Sequence, residues 1–306
     1  MTAIGISGNI LVLFFFHISI EDHKIRPTEK IISNLAVANL VWILTLGVPH
    51  SCFVFGLQYL YSDVSCKINT YVAKVSRAMA IDLTCFLSCL QYTTIMSSTP
   101  KWDKVKKKLQ AYLIFIIPVL LLSNMTCCVA LVLFTFSAAN VTNMDYTFNL
   151  GYCLVIFPDK TSFLAHCLFL FSEDLTFVVL MILSSICILL ILYKHNKRVK
   201  RVRNTDQNQE KTAERQAAKM VVTLVSLYVF FFGIENTIFL YQVTSSVKVH
   251  STVSDIRYFF STCFTSIFPI VIIVLNSKIK SRLRYFVCEK PTSLQEIFQA
   301  RPSLTR

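Results

Sequence analysis

Residues 71–95 read YVAKVSRAMAIDLTCFLSCLQYTTI, an apolar stretch that is long enough to cross a bilayer and still carries Lys74, Arg77 and Asp82. A membrane helix needs about 20 predominantly apolar residues. An ion that faces hydrocarbon costs at least ~2.5 kcal/mol on insertion scales, so charged residues in such helices usually face the bundle interior or water. The stretch therefore predicts a membrane helix that packs among others, with a polar interior around Lys74 and Arg77.

The rest of the chain has the composition of a membrane protein. Of its 306 residues 54% are hydrophobic and 15% are charged, whereas soluble domains carry about 25% charged residues. Apolar runs of spanning length predict an all-α membrane protein with a seven-transmembrane-helix bundle over residues 1–275. The predicted helices lie near 3–20, 31–56, 68–97, 111–136, 162–193, 217–243 and 252–275. The first run is marginal, and we expect its outer end to be truncated or the start codon to be misassigned.

The basic residues predict how the bundle is oriented. Of the 30 Lys and Arg residues, 24 fall in the loops after the first, third and fifth helices and in the C-terminal tail, all on one side. Because cytoplasmic loops retain positive charge, we expect a multi-pass plasma-membrane protein with its N-terminus extracellular and its C-terminus cytoplasmic. We interpret the net charge of +13 as a result of this orientation and expect the basic residues also to contact the lipid bilayer. Nucleic acid is not an expected partner.

Two cysteines differ from the other nine in their position. Most of the eleven lie within apolar runs, where cysteine behaves as a small hydrophobic residue. Cys66 begins the third helix on the outer side and Cys153 lies in the outer loop of residues 137–160, where the environment is oxidising. We predict a disulfide between them, the alternative being two free surface thiols. The same loop holds a glycosylation sequon at Asn140.

Seven predicted spans, the cysteine pair and several segments carry a resemblance to a known family. The segments are Gly8-Asn9, RPTEKIISNLAVANL (26–40), FGLQYLYSDVSCK (55–67), YVAKVSRA (71–78), the sequon with GYC (151–153) and ILYKHNKRVKRV (191–202). They resemble the vomeronasal type-1 receptors, whose fish members are called olfactory receptors related to class A, within the G-protein-coupled receptor superfamily. The resemblance implies a chemosensory receptor that binds an odorant or pheromone in the helix bundle and activates a heterotrimeric G protein of the Gi/Go type.

Three departures from the general class A pattern fit the same family. Asn39 stands where most class A receptors have an aspartate, and Leu90-Gln91-Tyr92 replaces Asp-Arg-Tyr at the inner end of helix three. Phe268-Pro269-Ile270-Val271-Ile272 replaces Asn-Pro-x-x-Tyr in helix seven. The vomeronasal receptors lack the same three features, so the departures support the resemblance.

The charges inside the predicted bundle allow two interpretations. Lys74 and Arg77 are three residues apart and share a helix face, about 12 and 17 Å below Cys66 at 1.5 Å per residue. In one interpretation they bind an anionic or acceptor-rich small molecule such as an organic acid. In the other they pair structurally with acids on helices five and six, namely Glu173, Asp174 and Glu235. Asp82 is five residues beyond Arg77 and is expected to point elsewhere.

The inner surface is predicted to contact the G protein. We expect Gln91, Tyr92, Lys197 and Arg198 to face a groove that admits a G-protein helix, the alternative being a solvated basic face. After helix seven, residues 276–306 are predicted to form a short amphipathic helix and a cytoplasmic tail. Cys288 at the end of that helix is a candidate palmitoylation site, against an unmodified thiol.

The sequence offers little support for catalysis. Its six histidines show no HxxxH or HExxH spacing, and its six glycines form no phosphate-binding loop, so we expect no enzymatic activity, metal or cofactor. Two other functions stay open. A bitter-taste-type receptor shares similar class A departures, and a small-molecule transporter would use charged helices as a substrate path, although inverted repeats are not visible.

Overall fold

The structure is a computed structural model that describes residues 1–21, 26–57, 61–96, 100–137, 147–199, 208–244, 251–276 and 279–280. These residues are mostly helical. The helices are α1 (Thr2–Glu21), α2 (Pro27–Trp42), a π-helical segment (Ile43–Gly47), α3 (Val48–Val54), α4 (Asp63–Met96), α5 (Pro100–Ala111), α6 (Leu113–Cys127), α7 (Ala130–Phe134), α8 (Lys160–Val199), α9 (Asn208–Thr244) and α10 (Ser251–Leu275). Three short strands, β1 (Thr135–Ser137), β2 (Thr147–Asn149) and β3 (Cys153–Ile156), lie in the outer loop.

Within the described ranges, six helical segments are long and apolar enough to cross a membrane. They are Pro27–Val54, Asp63–Met96, Leu113–Phe134, Lys160–Lys194, Arg215–Thr244 and Thr252–Leu275. The apolar part of α1, Thr2–Ile18, is shorter, and α1 packs between α2 and α10. A seventh crossing by α1 stays a prediction. The amphipathic helix expected after α10 falls outside the described residues except for Ile279 and Lys280.

Pro49 explains the π-helical segment that interrupts the second span. Proline has no backbone N–H, so the carbonyl oxygen of Thr45, four residues earlier, loses its helical donor. That carbonyl instead accepts from the Asn69 side-chain amide of α4 at 2.6 Å and from the Tyr152 hydroxyl at 3.3 Å. Burial raises the pKa of the Tyr152 phenol, which keeps this hydroxyl protonated and able to donate. The kinked span is thereby fastened to α4 and to the outer loop.

A similar arrangement occurs between α1 and α10. Pro269 lies inside α10 and leaves the Thr265 carbonyl without its helical donor. The side-chain amide of Asn9 on α1, which is fully buried, donates to that carbonyl at 3.0 Å. A Cβ atom at Gly8 would lie 2.6 Å from the Pro269 ring, so only glycine lets α1 approach α10 this closely.

The two longest of the described helices, α8 and α9, extend well beyond the thickness of a bilayer. α8 has 40 residues and α9 has 37, which at 1.5 Å per residue gives about 60 and 55 Å. The hydrocarbon core measures about 30 Å. Because α8 begins at the outer sheet, most of the excess length lies at the inner end.

A small antiparallel sheet covers the outer end of the bundle, with strand order β1-β3-β2. Cys153 at the start of β3 is joined to Cys66 of α4 as a disulfide, with the Cα atoms 5.8 Å apart. Gly151 has φ +87, and a Cβ there would lie 2.6 Å from the Phe53 ring. The predicted disulfide is therefore present, whereas the strands that carry it were not predicted.

Candidate binding site

A cavity opens inside the bundle beneath the outer sheet. It encloses about 880 Å³ of space, including the solvent at its mouth. The helices α2, α4, α7, α8, α9 and α10, the π-helical segment and the outer loop contribute its walls. The residues that line it are Trp42, Leu46, Thr70, Ala73, Lys74, Arg77, Leu131, Leu150, Val155, His166, Cys167, Leu170, Phe171, Asp174, Glu235, Asn236, Phe239, Arg257, Tyr258 and Ser261.

Arg77 connects three helices at the bottom of this cavity. Its guanidinium lies 2.7 Å from the Glu235 carboxylate on α9 and 3.6 Å from the Asp174 carboxylate on α8. The cation also stands 6.0 Å from the centre of the Trp42 ring on α2, within the range of a cation–π contact. Arg77 is mostly buried, with 17% of its side chain exposed, so its charge is offset by the two carboxylates rather than by water.

Lys74 lies one turn above Arg77 and lacks such partners. Among the described residues, no carboxylate stands within ion-pair distance of its ammonium group. The cavity wall holds three cations, Lys74, Arg77 and Arg257, against two carboxylates, Asp174 and Glu235. The described lining therefore has a formal excess of one positive charge.

Arg257 belongs to a polar cluster at the mouth of the cavity. Its guanidinium donates to the Gln242 side-chain oxygen at 2.9 Å and to the Tyr258 hydroxyl at 3.1 Å. The Tyr258 hydroxyl in turn donates to the Asn149 backbone carbonyl of β2 at 3.3 Å. These contacts link the outer ends of α9 and α10 to the sheet.

The remaining predicted acids lie elsewhere. The Asp82 carboxylate is buried and accepts a hydrogen bond of 2.6 Å from the Asn124 amide on α6. It points to a neighbouring helix, in the way its spacing from Arg77 indicated. Glu173 lies beside the Cys127 thiol of α6 and is not among the described residues of the cavity wall. The prediction that Glu173 belongs to the site is therefore not supported by its position.

The structure brings together four of the five predicted ligand-site residues, Lys74, Arg77, Asp174 and Glu235. Sequence reasoning missed the contributions of Trp42, Phe239 and Arg257. For Arg257 a signal existed, because this charge falls inside the predicted seventh helix, where an ion is expected to face the interior. Trp42 and Phe239 gave no such signal, since an aromatic residue in an apolar run can face lipid as well as the bundle interior.

At the inner end of the bundle, the structure describes two of the four predicted G-protein-facing side chains. Gln91 is 2% exposed, and the Tyr92 ring lies edge-on to Trp102 of α5 at 5.3 Å. The backbone of Lys197 and Arg198 belongs to α8, but their side chains lie outside the described part. The predicted modification sites Asn140 and Cys288 also lie outside it.

A further contact holds the inner ends of two helices together. The side-chain amide of Gln216 on α9 donates to the backbone carbonyl of Leu275, the last residue of α10, at 3.0 Å. This carbonyl is one of those left without a helical donor at a helix C-terminus. The bond therefore satisfies a helix end and fastens α9 to α10 on the cytoplasmic side of the predicted topology.

Comparisons with known proteins agree on one family. A family model described as "Vomeronasal organ pheromone receptor family" matches residues 1–285. The chain is 37% identical to "Olfactory receptor class A-like protein 1" of Danio rerio over 295 residues, which cover 96% of this chain and 90% of that protein. It is 26% identical to "Vomeronasal type-1 receptor 4" of Homo sapiens over 277 residues, covering 89% and 90% of the two chains.

Proposed function

Because the chain belongs to the vomeronasal type-1 receptor family, we propose that it is a chemosensory G-protein-coupled receptor whose ligand is a small organic anion bound in the outer cavity. An odorant or pheromone with one carboxylate fits the cavity best. The G protein implied by the family is of the Gi/Go type. The bitter-taste and transporter alternatives have no observation that favours them over this function.

The proposed ligand class rests on the excess positive charge of the cavity wall. Arg77 is offset by Asp174 and Glu235, whereas Lys74 has no carboxylate partner among the described residues. An isolated charge inside a bundle is costly, and a bound carboxylate offsets that cost by forming a charge-assisted hydrogen bond. A cationic ligand would instead add a fourth positive charge to this wall.

The route from the cavity to the G protein is a shift in population. A ligand that binds the inner-open arrangement more tightly than the closed one raises the occupancy of the inner-open arrangement. The cavity contacts α4, α8 and α9 through Arg77, and the inner ends of α8 and α9 extend toward the cytosol in the proposed topology. Ligand contacts in the cavity therefore bear on the helices that would form the G-protein groove.

The proposal includes seven membrane crossings in the plasma membrane, with α1 as the first. Its orientation places the basic loops and Arg306 in the cytosol and the Cys66–Cys153 disulfide outside. An epitope tag after Arg306 should bind antibody only after cells are permeabilised. Binding of that antibody to intact cells would contradict the orientation.

The ligand class is tested by substituting Lys74 in a cell line with a Gi/Go readout. Cells receive the wild-type receptor, Lys74→Met or Lys74→Arg, and Lys67→Met serves as the matched control. Lys67 lies two turns nearer the outer end of α4, over the Phe136 ring at 5.3 Å. Dose–response curves are recorded for a panel of carboxylates and for the primary amide of each.

We expect the wild type to respond to carboxylates better than to their amides. Lys74→Met should lower carboxylate potency by about 10- to 100-fold, the value of one hydrogen bond to a charged group. Lys74→Arg should retain the preference and Lys67→Met should resemble the wild type. Unchanged carboxylate potency in Lys74→Met, at equal surface labelling, would show that the anion does not bind at Lys74.

A further inference from the structure

A second, smaller chamber lies directly below the outer cavity. It encloses about 390 Å³ of space, again including any opening to solvent. The residues that line it are Trp42, Arg77, Ala80, Tyr228, Phe231, Phe232, Glu235, Phe260, Ser261, Phe264 and Thr265. On α4 the lining passes from Lys74 in the outer cavity to Ala80 in the lower chamber, about 9 Å along the helix axis at 1.5 Å per residue.

The two chambers share a ring of four residues. Trp42, Arg77, Glu235 and Ser261 line both of them, and they come from α2, α4, α9 and α10 in turn. The Arg77–Glu235 ion pair of 2.7 Å crosses this ring. The ring is therefore the floor of the outer cavity and the roof of the lower chamber.

The chemistry of the lower chamber contrasts with that of the outer cavity. Below the ring its described lining is aromatic and aliphatic apart from the Tyr228 hydroxyl and Thr265. The Tyr228 ring lies edge-on to Phe264 at 4.9 Å and is stacked on Phe232 at 5.7 Å. The only ionic groups of this described lining, Arg77 and Glu235, are paired with each other, so the chamber does not favour a charged occupant.

We infer that the lower chamber is a subsite for the hydrocarbon portion of an amphiphilic anion whose carboxylate lies at Lys74. This inference rests on the proposed function and adds the part of the ligand that the charge argument leaves open. Arg77 and Glu235 remain paired beside the middle of the bound molecule, and the alkyl chain passes next to their ion pair. The depth of the lower chamber then limits the length of the hydrocarbon chain that the receptor binds.

An occupant of this chamber contacts α9, one of the helices that would form the proposed G-protein groove, and its neighbour α10. Tyr228 and Phe232 belong to α9 and Phe264 to α10, and all three rings are buried. A hydrocarbon group packed against the Tyr228–Phe264 contact changes the packing between α9 and α10, because buried aromatic pairs adopt defined geometries. A short carboxylate that fills only the outer cavity lacks this contact.

The test is a chain-length series of linear carboxylates from butanoate to dodecanoate, applied to receptor-expressing cells. Ala80→Leu adds volume to the lower chamber lining, and Phe231→Ala removes volume from it. Phe230→Ala is the matched control, because the neighbouring Phe230 has the same size but is 59% exposed on the outside of the bundle. Each variant is labelled at the cell surface so that responses refer to equal numbers of receptors.

We expect Ala80→Leu to reduce the potency of the longest active carboxylates about tenfold or more, the discrimination that an apolar pocket achieves for added methylenes, and to leave the shortest active ones within about twofold. Phe231→Ala should move the optimum to longer chains, and Phe230→Ala should keep it. Equal loss at every length in Ala80→Leu together with an unmoved optimum in Phe231→Ala would overturn the inference. A wild-type receptor that responds to no carboxylate of any length contradicts the proposed function itself.

Discussion

The guanidinium of Arg77 on α4 and the carboxylate of Glu235 on α9 form an ion pair of 2.7 Å inside the helix bundle. Removing one member of a buried pair leaves the other charge without a partner, which costs about 3–5 kcal/mol, whereas removing both can be nearly neutral. We therefore predict that Arg77→Gln and Glu235→Gln each lower the melting temperature of the detergent-solubilised receptor. The double variant should be more stable than Arg77→Gln alone.

A matched pair on the solvent-exposed surface controls for nonspecific effects of removing charge. Lys107 and Asp103 of α5 form an ion pair of 2.7 Å, but their side chains are 74% and 41% exposed. Neutralising them should change the melting temperature little, because exposed pairs contribute about 0–1 kcal/mol. If the Arg77 and Glu235 effects proved additive, the two residues would not be coupled and their ion pair would not fasten α4 to α9.

The same Arg77 should matter for ligand response. The Arg77→Ala variant leaves the carboxylates of Glu235 and Asp174 at the cavity floor without their cationic partner. These carboxylates repel an anion bound at Lys74. We expect responses to carboxylates to disappear at a surface expression level that still gives full wild-type signal. Wild-type potency in this variant would refute the assignment of the outer cavity as the anion site.

The bond from Gln216 to the Leu275 carbonyl predicts a change in basal signalling. It ties the inner end of α9 to α10 at 3.0 Å, and a hydrogen bond of this kind contributes about 1 kcal/mol net. If activation separates these ends, Gln216→Ala should raise ligand-independent G-protein activity roughly fivefold. Thr223→Ala on the same helix is the control, since Thr223 is exposed and bonds only within α9, to the Lys219 carbonyl. Basal activity that stays at the wild-type level in Gln216→Ala would mean that this bond does not hold the inactive arrangement.

Much of the helical layout could be predicted because apolar length is a strong signal in a lipid environment. The six spans recognised in the structure coincide with six of the predicted runs to within a few residues at most ends. α5 was not predicted because its lysines and Asp103 give no apolar run. The strands of the outer loop were missed because strands of three or four residues are too short to show a period, and they exist through pairing with each other and through the disulfide.

Residues of the binding site could be predicted only where a charged residue lies within an apolar run. Lys74, Arg77, Asp174 and Glu235 are ions inside apolar runs, which predicts that they face the interior. Their pairing could not be read from sequence, because it depends on how α4, α8 and α9 are rotated. The same holds for small residues such as Ala80, which is ordinary for a membrane helix and becomes part of a cavity through packing alone.

The hydrogen bond from Asn69 to the Thr45 carbonyl gives the sharpest test of the fold. This bond exists because Pro49 removes the backbone donor that would otherwise satisfy Thr45. Asn69→Leu should therefore destabilise the receptor by about 1 kcal/mol, the net contribution of one hydrogen bond, since the Thr45 carbonyl still accepts from the Tyr152 hydroxyl. Pro49→Ala restores the backbone N–H, so the same substitution should cost less than half as much in that background. Thermal unfolding of the four proteins in one detergent measures both costs. Equal costs in the two backgrounds would mean that Asn69 does not compensate for Pro49 and that the π-helical segment has another cause.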